Sequence, residues 1–118
     1  METVLVVDDD QAVRRLASRI LSEAGYRVIE AGHPEAALAE AAATRVDLVL
    51  TDVFMPGMSG AELASHLRAD APGLPVLLMT GAPDGIRPVN GSGNPVEVLA
   101  KPFLAAELLA RVGRLLDE

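Results

Sequence analysis

Five short aliphatic runs, VLVV (4–7), YRVIEA (26–31), DLVLT (47–51), PVLLM (75–79) and VEVLA (96–100), are spaced along a chain of 118 residues and limit its fold more than any other feature. Each has the length of a strand, and runs this continuously apolar belong to strands covered on both faces. Helical spacing fills most of the intervals. Val13, Leu16, Ala17, Ile20, Leu21 and Ala24 recur at i, i+3, i+4 and i+7, and Gly25 stands where a helix ends. Pro34 suits the first turn of an Ala-rich second helix over about 34–44, and Ser59-Gly60-Ala61-Glu62 carries the capping box that opens a third. Leu108, Leu109, Val112, Leu115 and Leu116 define a last helix from about 104 to 116. Parallel strands need crossovers, so the expected architecture is a doubly wound α/β domain.

One interval departs from the alternation. TGAPDGIRPVNGSGNP (80–95) holds three prolines and four glycines where a fourth helix belongs. Proline breaks helix interiors and each glycine weakens them by roughly 1 kcal/mol, so the fourth helix is expected to be short or irregular. Neither a repeat nor a linker divides the chain, and half its residues are hydrophobic, enough for one core. Residues 1–118 are expected to form a single domain.

In open parallel sheets, ligands bind beyond the carboxyl ends of the strands, where the winding reverses. Those ends carry Asp8 and Asp9 after the first run, Asp52 after the third, Thr80 after the fourth and Lys101 after the fifth. If the first strand lies beside the third, three carboxylates meet, and such a cluster raises its own pKa values unless a cation sits among them. Oxygen donors without His or Cys favour a hard ion, and a few carboxylates with water and a phosphate suit magnesium better than calcium. Lys101 is the only lysine beside nine arginines. A compact ammonium on a flexible stem suits a charge that follows a phosphoryl group. The Lys101–Pro102 bond is of the kind that adopts cis at modest cost. Asp10 reads as the N-cap of the first helix.

Charge and composition exclude other classes. Seventeen acidic against ten basic residues give a net charge of −7, a poor match to nucleic-acid phosphates or anionic lipid, so direct contact with either is not expected. The absence of cysteine rules out disulfides and Cys-based zinc sites and suits a reducing cytoplasm. The longest apolar runs are strand-sized, and METVLVV lacks the basic start of a signal peptide, so a cytoplasmic location is expected.

The DD after the first strand, TDVFMPGMSG around Asp52, LLMTG around Thr80 and AKPF around Lys101 come in order, each at its strand end. Together they resemble the receiver domains of two-component response regulators, over nearly all of residues 3–117. The resemblance implies a flavodoxin-like (βα)5 fold with sheet order 2-1-3-4-5. It implies that Asp52 accepts a phosphoryl group from a partner phosphohistidine, and that Mg2+ is held by Asp8, Asp9, Asp52 and the main-chain carbonyl of Phe54. Thr80 would bond a phosphoryl oxygen, Lys101 would pair with it, and Gly81 would fill the small-residue position that keeps the site accessible. The implied partner is a histidine kinase or a histidine phosphotransfer protein. The implied role is that of a signalling domain that promotes its own phosphorylation and dephosphorylation, not an enzyme working through a substrate pool. The Gly- and Pro-rich interval is similar to that in receivers of hybrid sensor histidine kinases, which permits a place in a larger hybrid chain. Where many receivers carry a switching aromatic, this chain has Val98.

Rival readings fit less well. A haloacid-dehalogenase-type phosphatase uses a DxDxT pattern, but Ala12 replaces its threonine and no acidic pair closely follows Lys101. A pseudo-receiver, an interaction module without phosphoryl chemistry, does not need an acceptor site in which every residue type is kept. A flavin site wants a phosphate-cradling loop where this chain has acids. His33 and His66 read as isolated surface histidines. Arg14 and Arg15 read as an exposed face of the first helix, where the resemblance places docking of the histidine donor.

Overall fold

The computed structural model describes residues 2–81 and 96–117. Along the first strand, β1 (Thr3–Val7), every residue is buried, which only a central strand covered on two sides achieves. The others are β2 (Arg27–Ala31), β3 (Leu48–Asp52), β4 (Val76–Thr80) and β5 (Val96–Ala100). The helices among the described residues are α1 (Gln11–Glu23), α2 (Pro34–Ala43), α3 (Gly60–Asp70) and α4 (Ala105–Asp117). All neighbouring strands pair in parallel, as the alternation of strands and helices predicts, and in the order β2-β1-β3-β4-β5 that the resemblance to receivers implies. The expectation of a short or irregular helix between β4 and β5 falls on 82–95, outside the described residues.

Alternation along the strands sorts the core into two layers. Val4, Val6, Leu48, Leu50, Leu77, Met79 and Leu99 pack with Ala17 and Leu21 of α1 and Leu108, Val112 and Leu115 of α4. Their neighbours Leu5, Val7 and Val49 turn the other way, onto Ala37 of α2 and Leu63 and Leu67 of α3. Val53, Ala64, Val76 and Leu78 form a smaller cluster on which Val98 packs. Each leucine fully withdrawn from water contributes about 1.5–3 kcal/mol, so these layers fix which strand ends lie side by side.

Local signals set the helix starts. The Asp10 carboxylate accepts from the amides of Ala12 (2.9 Å) and Val13 (3.3 Å), as its reading as a cap requires. Ser59 and Glu62 form the reciprocal capping box, both bonds at 3.1 Å. His33, read from sequence as a solvated surface residue, is exposed but also caps α2, its Nδ1 accepting from Ala36 N at 3.2 Å. Gly25 (φ +102°) and Gly57 (φ +90°) occupy the left-handed region that favours glycine. β3 and β4 run one residue beyond their aliphatic stretches, because Asp52 stays in register with Met79 and Thr80 with Ala100.

Candidate functional site

Four strand ends deliver the polar groups. Asp8, completely buried, directly follows β1 and is held at several points. Its amide donates to Ala31 O (3.2 Å), Oδ1 accepts from the Asp10 amide (2.9 Å) and Oδ2 accepts from Lys101 Nζ (2.9 Å). Asp52 closes β3 and accepts from the same ammonium at 3.0 Å. Asp9 is exposed at the rim, and one carboxylate oxygen from each of Asp8, Asp9 and Asp52 lies within 4.8 Å of the others. Lys101 follows β5 and donates its amide to Thr80 O at 2.8 Å, while the Lys101–Pro102 peptide is cis. Thr80 is buried at the end of β4. Phe54 lies two residues beyond Asp52 with its ring exposed. Gly81 is exposed, and an added Cβ would meet nothing within 4 Å.

The pocket carries more negative than positive charge. Burial raises the Asp52 pKa, the Lys101 bond and charge oppose that shift, and the charges of Asp8 and Asp9 add to it. Burial alone would lower the Lys101 pKa, but its bonds to Asp8 and Asp52 and their charges carry it upward. Three carboxylates and one ammonium leave a deficit of two positive charges, which is the charge of one divalent ion. All donors are oxygen, the set that hard cations prefer.

The structure thus gathers Asp8, Asp9, Asp52 and Lys101 by direct geometry and sets Thr80 on the adjoining strand end. It corrects the reading of Arg14. Instead of lying on an exposed face, its side chain is 17% exposed and binds Glu30 (3.1 Å) and the Asp8 carbonyl (2.9 Å). A contact made back across the β1–α1 loop leaves no periodicity in the sequence, although an acid at Glu30 on a neighbouring strand is a partial signal. Arg15 is exposed, as expected. Leu16, placed on the apolar helix face by spacing, is 51% exposed and lines a groove of ≈250 Å³ with Val13, Lys101, Pro102 and Phe103.

A sequence model of the response regulator receiver domain family matches residues 4–113. The chain belongs to the response-regulator receiver family. Among curated relatives, this receiver is 38% identical over 117 residues to the probable transcriptional regulatory protein TcrX of Mycobacterium tuberculosis, covering 97% of this chain and 49% of that protein. The chain therefore spans about half the length of such relatives. Among solved structures it resembles the response regulator TrrA of Thermotoga maritima in complex with Mg(2+)-BeF (35% identity, TM-score 0.85, 98% of this chain and 99% of that one). It also resembles the receiver domain of the hybrid histidine kinase CckA (34% identity, TM-score 0.83, 97% and 98% covered). Receivers are components of two-component signalling and work with histidine kinases or phosphotransfer proteins. The phosphatase alternative loses its second acid in this receiver, because Asp10 spends its carboxylate on the α1 amides. Among the described residues, no helix is long and apolar enough to cross a membrane.

Proposed function

We propose that residues 1–118 act as one receiver unit in which Asp52 accepts a phosphoryl group from the phosphohistidine of a histidine kinase or phosphotransfer protein. The observation that carries this reading is the single ammonium of Lys101 bonded to both Asp8 and Asp52, with Asp9 completing the acidic cluster. An Asp52 carboxylate oxygen attacks phosphorus, the P–N bond breaks, and its electron pair returns to the leaving imidazole. Such transfers need chiefly positioning and charge neutralisation. Asp8, Asp9, Asp52 and the Phe54 carbonyl would hold Mg2+, which when bound supplies Lewis-acid stabilisation of charge on the phosphoryl oxygens. Lys101 and the Thr80 hydroxyl then pair with the phosphoryl group.

Burial of Asp52 keeps most water from the acyl phosphate, and the exposed rim at Asp9 admits the donor. The apolar groove at Val13, Leu16 and Phe103 adjoins Lys101 and suits the apolar face of a donor helix. The added charge of about −1.5 to −2 shifts a balance of pre-existing conformations. The acidic surface argues against direct nucleic-acid contact by this domain, the lack of cysteine suits a reducing cytoplasm, and a place within a larger hybrid-kinase chain fits the likeness to the CckA receiver. Incubation with a small phosphodonor and magnesium should give stoichiometric acyl phosphate, and Asp52→Asn should give none. Unchanged labelling of Asp52→Asn would refute the assignment, and an unlabelled wild type would favour a pseudo-receiver.

A further inference from the structure

Arg14 leaves α1 and turns back over the end of β1. Its Nη1 donates to the Asp8 main-chain carbonyl at 2.9 Å and its Nε to Glu30 Oε1 at 3.1 Å, so one guanidinium joins α1, the end of β1 and β2. Gly32 leaves room for it: a Cβ there would stand 3.2 Å from Nη1 and 3.7 Å from Cζ. The other polar atoms of Asp8 are held by Ala31, Asp10 and Lys101, and Arg14 holds the carbonyl. That carbonyl belongs to the planar peptide linking Asp8 to Asp9, so pinning it fixes where the Asp9 amide and Cα stand, from which the side chain starts. Among the described residues no side chain bonds the Asp9 carboxylate, so its position depends on where the backbone places its Cα. Glu30 offsets the charge of Arg14, which leaves the guanidinium a geometric role rather than a field.

We propose that Arg14 is a positioning residue for the divalent-cation pocket, fixing the Asp8 carbonyl and so directing the Asp9 carboxylate toward the ion. The proposal rests on the magnesium role given to these acids above. The test is a magnesium titration of the whole domain by residue-resolved NMR, comparing wild type with Arg14→Met, Arg14→Lys and, as a destabilised control remote from the pocket, Leu67→Val. Arg14→Met should weaken magnesium binding about tenfold, as losing a group that orients a metal ligand commonly does, and should shift the Asp9 and Asp10 amides before any ion is added. Arg14→Lys should bind no better, because a lone ammonium lacks the fork that spans the Asp8 carbonyl and Glu30. Leu67→Val should lose stability and keep its affinity. Wild-type affinity in Arg14→Met overturns the role of Arg14 and spares the magnesium reading. Wild-type affinity in Arg14→Lys reassigns the effect to charge, and an equal loss in Leu67→Val reassigns it to general softening; either result overturns the proposal. A wild-type domain that takes up no magnesium overturns both readings together.

Discussion

At the scale of single residues, Lys101 is the counter-charge that lets Asp8 and Asp52 stay buried together. Removing one partner of a buried ion pair leaves the other uncompensated. Lys101→Met should therefore cost the metal-free domain about 3 kcal/mol, the lower end for such a loss because the ammonium is 21% exposed. The pH dependence has a definite sign. The folded pKa of Lys101 lies above the ordinary 10.5, so its stabilisation is fully present below that value and is lost as pH rises through the folded pKa. Tyr26, raised above 10.0 chiefly by burial, titrates with the same sign, so the measurement belongs in a Tyr26→Phe background. There, urea midpoints should fall above pH 10.5, and adding Lys101→Met should remove the fall. Because the chain has no other lysine, persistence of that fall in the double variant would show that Lys101 is not its source.

Among the elements, α3 begins directly against the Asp52 backbone. A Cβ on Gly60 would stand 2.3 Å from the Asp52 carbonyl oxygen and 3.3 Å from Leu78 Cδ2, while the Gly60 amide donates to Val53 O at 2.8 Å. Intrinsic helix propensity favours Gly60→Ala by about 1 kcal/mol, whereas the clash opposes it by about 1–3 kcal/mol or more. The clash should win, because its target is main chain that cannot rotate aside. Urea unfolding should show Gly60→Ala less stable than wild type, and a more stable variant would mean that α3 sits looser on β3 than described. The capping box at Ser59 and Glu62 was legible from spacing alone, but this close approach was not. A glycine at the first turn looks permissive in a sequence, and only the packed strand beneath it turns it into a requirement.

For the whole molecule, ion binding and folding share one free energy. A cation that binds only the folded state stabilises it by about 2.7 kcal/mol at a free concentration one hundred times its Kd. Magnesium should raise the melting temperature in proportion to its logarithm, and chelation should return it to the metal-free value; a flat calorimetric titration would argue against the site. The parallel alternation and the polar strand ends were readable from the aliphatic runs, whereas the strand order that gathers Asp8, Asp9, Asp52 and Lys101 came with the resemblance to receivers. The exposure of Leu16 was not legible because helical spacing cannot tell a stripe facing the core from one facing a groove, and the cap that the exposed His33 forms was not legible because capping depends on backbone direction. Arg14 was missed because its contact is with a carbonyl, which every residue has. Lys101 reaches β4 through its own amide and β1 and β3 through its ammonium. It is thus a tie-rod from the rim of the sheet to its middle, and an anion arriving at residue 52 that draws the ammonium off Asp8 would re-tension the rim without any helix having to unwind.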